Sequence, residues 1–184
     1  MTAIPQSPDW CDDDERGLVA RTMRGDEQAF GALYARHAAM AYAAAYRLLG
    51  GAADAEDVVQ ELFLALPKTL GGYDPTRGPL GAWLRRVAVR LALMRMRSTR
   101  RRRETDAGVV AALLAREDAA LERLSIEAAL ARLSDEQRTV FLLKEVEGYE
   151  HREIAALLDI SVANSEIRLF RARQALRAFL GGSR

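Results

Sequence analysis

Nine arginines lie between residues 83 and 103 of this 184-residue chain, and no acidic side chain interrupts them. They stand at positions 85, 86, 90, 95, 97 and 100–103. A guanidinium group is always charged and donates paired N–H groups to phosphate, so such a cluster is typical of a surface that binds nucleic acid. Because the whole chain carries a formal net charge of only +1, the basic cluster is local and is flanked by acidic sequence.

Other residue types that carry chemistry are sparse. One cysteine and two histidines supply neither a disulfide framework nor a zinc-binding spacing. Asp54, Glu56 and Asp57 are close in sequence, but they crowd the start of one predicted helix without further ligands or an activated nucleophile. We therefore expect no enzyme activity, no metal or other cofactor and no small-molecule substrate.

Composition favours an all-α fold. Alanine, leucine, arginine and glutamate dominate, and the chain has five prolines. No apolar run approaches the roughly 20 residues that a membrane-spanning helix needs, and the acidic N-terminal residues are unlike a signal peptide. The sequence thus predicts a cytoplasmic protein without membrane insertion, made of two small helical domains joined by a flexible linker.

The first domain is predicted over residues 12–98, after a mobile tail at 1–11. Asp26 is expected to cap the second helix, which Gly50 and Gly51 end. A third helix is predicted to begin with Asp54 as its cap and to kink or end at Pro67. A fourth runs over about 80–98, after a loop of glycines and prolines.

Apolar periodicity predicts which side chains are buried in this domain. His37 falls on the apolar stripe of the second helix and is expected to be a core or boundary histidine. Buried stripes are predicted for the third helix at Val58, Val59, Leu62, Phe63 and Leu66, and for the fourth at Leu80, Leu84, Val87, Leu91 and Met94. Arg86, Arg90 and Arg97 share a neighbouring face of the fourth helix, and Trp83 lies at the seam.

The second domain is predicted over residues 119–184, after a linker at 99–118. Ser134 and Gln137 have the spacing of a capping box. A short helix at 152–158, a turn at 159–161 and a longer basic helix to about residue 180 have the layout of a helix-turn-helix.

Ordered motifs along the chain resemble those of bacterial RNA polymerase sigma factors of the extracytoplasmic-function (ECF) group, in the sigma-70 family. In the first domain they are GDEQAF at 25–30, RLLG at 47–50, DAEDVVQELF at 54–63, YDP at 73–75 and AWL at 82–84. In the second they are LARL at 130–133, EQR at 136–138, VFLL at 140–143, EIA at 153–155, ISV at 160–162 and RAR at 171–173. The resemblance covers about residues 18–180.

The resemblance implies a function and partners for each domain. Residues 12–98 resemble sigma region 2, in which the third helix docks on the clamp helices of the largest polymerase subunit. The contact candidates, which lie off its buried stripe, are Asp57, Gln60, Glu61 and Leu64. The following loop and the arginine-rich helix stand where the family melts and reads the −10 element. There Trp83 is either a wedge or a core residue, and Arg86, Arg90 and Arg97 are candidates for phosphate contacts.

Residues 119–184 resemble sigma region 4, whose last helix reads the −35 element and which meets the polymerase flap. The candidate DNA contacts are Ser161, Ala163, Asn164, Ile167, Arg168, Arg171 and Arg173. The family also implies an anti-sigma factor as a partner, beside core RNA polymerase and promoter DNA. A helix-turn-helix regulator that does not engage polymerase is the alternative interpretation.

Four positions depart from the usual pattern of the family. Ser165 stands in place of a buried valine, and Glu166 in place of a lysine that meets phosphate. Arg90 and Met94 replace polar residues on the −10 helix. These departures indicate either altered or weakened promoter contacts, and the sequence leaves both possibilities open.

Overall fold

The computed structural model describes residues 15–105 and 124–181, with side chains described over 15–100 and 128–179. The chain divides into two compact units, residues 1–103 and 104–184. Every regular element in the described ranges is helical, which confirms the all-α prediction. The predicted tail at 1–11 and most of the predicted linker, 106–118, lie outside the described residues. None of the described helices is long and apolar enough to cross a membrane.

Between residues 15 and 105 the structure has four α-helices: α1 (Glu15–Met23), α2 (Glu27–Leu49), α3 (Ala52–Thr69) and α4 (Leu80–Thr105). Two short 3-10 turns, Leu70–Gly72 and Pro75–Arg77, lie between α3 and α4. Asp26 caps α2 as predicted, because its carboxylate accepts the N–H groups of Gln28 and Ala29 at 3.0 and 3.1 Å. The Ala29 hydrogen bond, together with one from Arg21, lowers the pKa of Asp26.

The core of the first unit forms where α2 packs against α1 and α3. The predicted stripe of α3 is confirmed, since Val58, Val59, Leu62, Phe63 and Leu66 are all buried. The Phe63 ring makes edge contacts with the rings of Phe30 and Tyr34.

Two predicted helix limits are wrong. The helix α3 begins at Ala52, so Asp54 lies in its first turn instead of capping it. It ends at Thr69, two residues after Pro67 and close to the predicted limit. The helix α4 continues to Thr105 instead of ending near residue 98. No proline or glycine interrupts residues 82–105, and arginine and methionine are good helix formers, so the helix extends into the predicted linker.

The predicted apolar face of α4 is rotated from the observed one. Leu80 and Leu84 are buried as predicted, but Val87 and Leu91 are only half-buried and Met94 is 56% exposed. The buried positions are instead Leu80, Leu84, Ala88, Val89, Ala92 and Leu93. Small alanines at 88 and 92 carry little weight in a pattern of large apolar residues, yet they let the helix pack closely.

Alanine substitutions at two adjacent positions test this register. Leu93 is 3% exposed, so Leu93→Ala is expected to lower the free energy of unfolding by about 2–4 kcal/mol through lost burial and a cavity. Met94→Ala is the matched control and should change it by less than about 0.5 kcal/mol. Urea unfolding followed by circular dichroism measures both values. A larger loss of stability for Met94→Ala than for Leu93→Ala would support the buried face predicted from the sequence instead.

The second unit contains α5 (Leu124–Ala131), α6 (Asp135–Phe141), α7 (His151–Leu158) and α8 (Val162–Gly181), with a π-helical turn at Leu142–Val146. The predicted capping box is present at α6, since Ser134 and Gln137 exchange hydrogen bonds. Helices α7 and α8 flank a turn in which Asp159 takes a left-handed conformation, φ 56°. Ile154 and Ala155 of α7 are buried with Leu169 and Ala172 of α8, as the helix-turn-helix prediction requires.

Candidate nucleic-acid interface

The arginine face of α4 points to solvent. Packing of Leu84 and Ala88 into the core fixes the opposite side of the helix and leaves Arg86, Arg90 and Arg97 exposed. Among the residues that the structure describes, none forms an ion pair with Arg90. The predicted grouping of these three guanidinium groups on one exposed face is therefore present.

Trp83 is half-buried, between the two roles that the sequence left open. Its ring lies 5.8 Å from the ring of Tyr73, at an interplanar angle of 52°. It also lines a shallow apolar groove between α3 and α4 whose other walls include Leu62, Val87 and Leu91. The indole thus joins the loop before α4 to the apolar side of α4.

The loop between α3 and α4 is closed by its own side chains. The Tyr73 hydroxyl donates to the Gly78 carbonyl oxygen at 3.0 Å, and burial raises the pKa of Tyr73. Asp74 accepts hydrogen bonds from both the N–H and the hydroxyl of Thr76, and these lower its pKa. A loop with this many internal bonds holds a defined shape beside the start of α4.

The predicted polymerase contacts share the outward face of α3. Asp57, Gln60, Glu61 and Leu64 occur at helical spacing and are all exposed. Leu64 is 80% exposed, the largest fraction among the exposed large apolar residues of the described chain. A single exposed leucine is common on protein surfaces, so this exposure makes Leu64 accessible to a partner without identifying one.

Arg95 of α4 is bound to two acids of α3. Its Nε donates to Asp54 at 2.8 Å, and its terminal nitrogen pairs with Asp57. The hydrogen bond to Asp54 is the main cause that raises the pKa of Arg95, and the charge of Asp57 adds to it. Sequence reasoning gave Arg95 no role. The structure makes it a brace between the helix predicted to dock on polymerase and the helix predicted to bind DNA.

The predicted −35 residues occupy the start and the outer face of α8. The Ser161 hydroxyl accepts the Asn164 N–H at 3.1 Å, so Ser161 caps the helix. Ala163 and Ile167 are exposed, and Asn164 is half-buried. The first turns of α8 are therefore accessible, as the predicted contact with a major groove requires.

The three arginines of α8 differ in their surroundings. Arg168 is largely buried and forms an ion pair with Glu136 of α6 at 2.9 Å. Arg173 is exposed and pairs with Glu145. Arg171 is exposed. Arg171 is thus the arginine of the three best placed for a phosphate, while DNA would compete with an acid for each of the other two.

Ser165 is fully buried, like the valine that it replaces in the family pattern. Its hydroxyl lies 2.8 Å from Nδ1 of His151, the first residue of α7. A polar contact between α7 and α8 therefore stands where an apolar one is usual. This contact holds α8 against α7 although serine replaces the usual valine.

Sequence reasoning missed one exposed residue of α8. Phe170 lies three residues after Ile167 and is 60% exposed. Its spacing from Ile167 places both on one helix face, and that spacing was the signal available in the sequence. An apolar pair there suits contact with thymine methyl groups.

Comparison with known proteins bears on both units. The family model for sigma-70 region 2 matches residues 33–102, and the model for sigma-70 region 4 matches residues 123–176. The chain is 31% identical over 185 residues to the ECF RNA polymerase sigma factor SigE of Mycolicibacterium smegmatis, covering 94% of this chain and 71% of SigE. It is 35% identical over 188 residues to the RNA polymerase sigma factor CnrH of Cupriavidus metallidurans, covering 92% of this chain and 95% of CnrH. The solved structure of CnrH in complex with the cytosolic domain of CnrY superimposes with a TM-score of 0.54 at 34% identity, covering 94% of this chain and 100% of that one.

Proposed function

The chain belongs to the ECF sigma factors of the sigma-70 family, and from that membership we propose which of its surfaces carry each step of transcription initiation. A sigma factor binds core RNA polymerase and directs it to promoters. The first unit carries two steps, docking on polymerase and action at the −10 element. The face of α3 formed by Asp57, Gln60, Glu61 and Leu64 docks on the clamp helices of the largest polymerase subunit. Leu64 supplies the apolar contact, and the acids set the orientation against basic residues.

The arginine helix α4 and the loop before it act on the −10 element. Arg86, Arg90 and Arg97 contact phosphates of the displaced strand, while Trp83 stacks beside the separated bases. Support comes from their common exposure on one helix and from the contact between Trp83 and Tyr73. The observation that carries the proposal is that this basic face and the exposed Leu64 face belong to one compact unit.

The helix α8 reads the −35 element in a major groove. Ala163, Asn164 and Ile167 face base edges, and Arg171 contacts phosphate together with Arg173 and Arg168. Ser161 contributes by capping the helix whose N-terminal turns meet the DNA. The ion pairs of Arg168 and Arg173 suggest that these two side chains exchange an internal acid for a phosphate on binding.

In vitro transcription on a random promoter library tests the proposal. Core polymerase with this chain should enrich a set of promoters with a −35 and a −10 element, compared with core polymerase alone. No enrichment would remove the initiation role. The alternative, a helix-turn-helix regulator that does not engage polymerase, is not favoured by the relatives. It predicts that the chain does not co-elute with core polymerase in gel filtration.

An anti-sigma factor is the expected regulatory partner. The relative CnrH has been solved in complex with the cytosolic domain of CnrY, which supports a partner of this kind for the present chain. We place the protein in the cytoplasm, where core polymerase and the chromosome are found. In this role the chain is a specificity subunit, and catalysis belongs to the polymerase.

Reversing the charge of Glu166 is expected to strengthen promoter binding. Glu166 is exposed on α8, where an acid repels DNA phosphates. Glu166→Lys should steepen the dependence of log K on log salt by about 0.9 and tighten binding about tenfold at 0.1 M salt. Fluorescence anisotropy of holoenzyme on a promoter duplex selected from the library measures both. Glu27→Lys, the same reversal at an exposed position of α2, is the control. An equal gain in both variants would assign the effect to net charge alone.

A further inference from the structure

The carboxylate of Glu15, on α1, joins three helices of the first unit. Its Oε1 lies 3.0 Å from Nε2 of His37 on α2. Its Oε2 accepts the backbone N–H of Leu80, the first residue of α4, at 3.3 Å. The two partners are 22 and 65 residues away in sequence, so this contact comes from the tertiary fold rather than from local structure. None of the functional surfaces described above includes α1.

The start of α4 depends on this carboxylate for its first hydrogen bond. The first N–H groups of a helix have no partner within the helix, and a side chain at the N-cap usually supplies one. The two residues before Leu80 are Gly78 and Pro79, and neither has a side-chain acceptor. Leu80 is fully buried, so water cannot serve as the acceptor for its N–H group. Glu15 therefore performs the capping role from another helix.

His37 packs against the same junction between α1 and the start of α4. A Cβ built on Gly81 would lie 3.4 Å from Nδ1 and 3.5 Å from Cε1 of His37, so the imidazole sits against the first turn of α4. The ring is largely buried, with 13% of its side chain exposed. The histidine that the sequence placed on an apolar stripe is thus a boundary residue that presents one nitrogen to Glu15.

The junction lies next to the groups proposed to act on the −10 element. Trp83 is one turn after Leu80, and its ring contacts Tyr73. The negative charge of Glu15 also reaches the Tyr73 hydroxyl, where it adds to the burial that raises the pKa. Any shift of the first turn of α4 would change where Trp83 and the loop before it stand.

We propose that Glu15 is a positioning residue for promoter melting, which sets the first turn of α4 and thereby the placement of Trp83 and the 70–79 loop. In this role it acts through α4 and needs no contact of its own with DNA or polymerase. The inference rests on the proposed assignment of α4 and its loop to the −10 element. Since the effect is on geometry at the melting site, it should disappear when the DNA is already open.

A comparison of duplex and premelted promoters tests this role. Holoenzymes carrying wild-type chain, Glu15→Ala, Glu15→Gln or Glu27→Ala are assayed for core affinity and for transcription from both templates. The premelted template carries a mismatched bubble across the −10 element of a promoter selected from the library. Glu27→Ala removes an exposed acid one helix away and is the matched control.

Glu15→Ala should reduce transcription from the duplex about tenfold, because the buried Leu80 N–H loses its acceptor. On the premelted template it should stay within about twofold of wild type, with core affinity unchanged. Glu15→Gln retains a side-chain oxygen for the Leu80 N–H and should recover most of the duplex activity. Glu27→Ala should match wild type throughout.

Two results would overturn the proposal while the wild-type chain still opens the duplex. One is unchanged duplex transcription by Glu15→Ala. The other is an equal loss on both templates, which would make Glu15 a stabilising residue only. If the wild-type chain itself fails on the duplex but works on the bubble, the assignment of α4 to melting falls first, and the inference falls with it.

Discussion

Leu64→Asp is expected to weaken binding to core RNA polymerase at least about a hundredfold. Burying a leucine side chain contributes about 1.5–3 kcal/mol, and an aspartate at the same place adds the cost of removing a charge from water. Leu64→Ala removes only the apolar contact and should weaken binding about tenfold. The dissociation constant is measured with fluorescently labelled chain titrated by core polymerase.

Two controls for the Leu64 experiment test whether a loss of binding comes from lost stability or from a new surface charge. Because Leu64 is 80% exposed, neither substitution should change the free energy of unfolding by more than about 0.5 kcal/mol. Met23→Asp places the same new charge at another exposed apolar residue, 51% exposed at the end of α1, and should bind core normally. Wild-type affinity for Leu64→Asp would remove the face of α3 from the polymerase interface.

Local chemistry made part of this fold predictable. Asp26 caps α2, and Ser134 with Gln137 caps α6, because each signal acts within three residues of its own position. The stripe of α3 was predicted correctly, since the large apolar residues that share one face at helical spacing are buried. Exposure of Leu64 follows from the same pattern, as it falls on the opposite face.

The register of α4 was not predictable in the same way. Both Ala88 and Met94 are apolar, and choosing the larger residues led to a face that includes Val87, Leu91 and Met94. Which face is buried depends on how close the neighbouring helices approach, and small alanines allow the closest approach. Val87 and Leu91 instead line the groove beside Trp83.

Polar contacts between residues far apart in the chain could not be predicted from the sequence pattern either. Arg95 meets Asp54 and Asp57 from about 40 residues away, and Glu15 meets the N–H of Leu80 from 65. Arg168 was predicted as a DNA contact from its place in a motif, and only the packing of α6 on α8 reveals its pairing with Glu136. Motifs indicate which surface acts, while the fold decides which charges on it are already paired.

Removing two arginines from the exposed face of α4 is expected to have the second large effect. With Arg86 and Arg90 both changed to alanine, holoenzyme should lose about two phosphate contacts. Each contact to single-stranded DNA contributes about 0.7 to the slope of log K against log salt, so the slope should fall by about 1.4. At 0.1 M salt that corresponds to about twentyfold weaker promoter binding, and to little change near 1 M.

A matched pair of arginines separates position from charge. Arg24 is exposed just after α1 and Arg36 is half-buried on α2, so their double alanine variant removes the same charge from the same unit. Filter binding of each holoenzyme to a promoter with a premelted −10 element, at a series of salt concentrations, gives the slopes directly. Equal slopes for the two double variants would mean that the arginines of α4 act only through net charge.

The single change Arg90→Asn then distinguishes a phosphate contact from recognition of a base. Arginine at this exposed position contacts phosphate at any sequence, whereas the asparagine usual in the family can pair with a base edge. We expect the variant to bind non-specific DNA more weakly and to enrich a narrower set of −10 sequences from the library. An unchanged set of enriched sequences would leave Arg90 without influence on selectivity. A broader set would mean that the arginine itself reads a base.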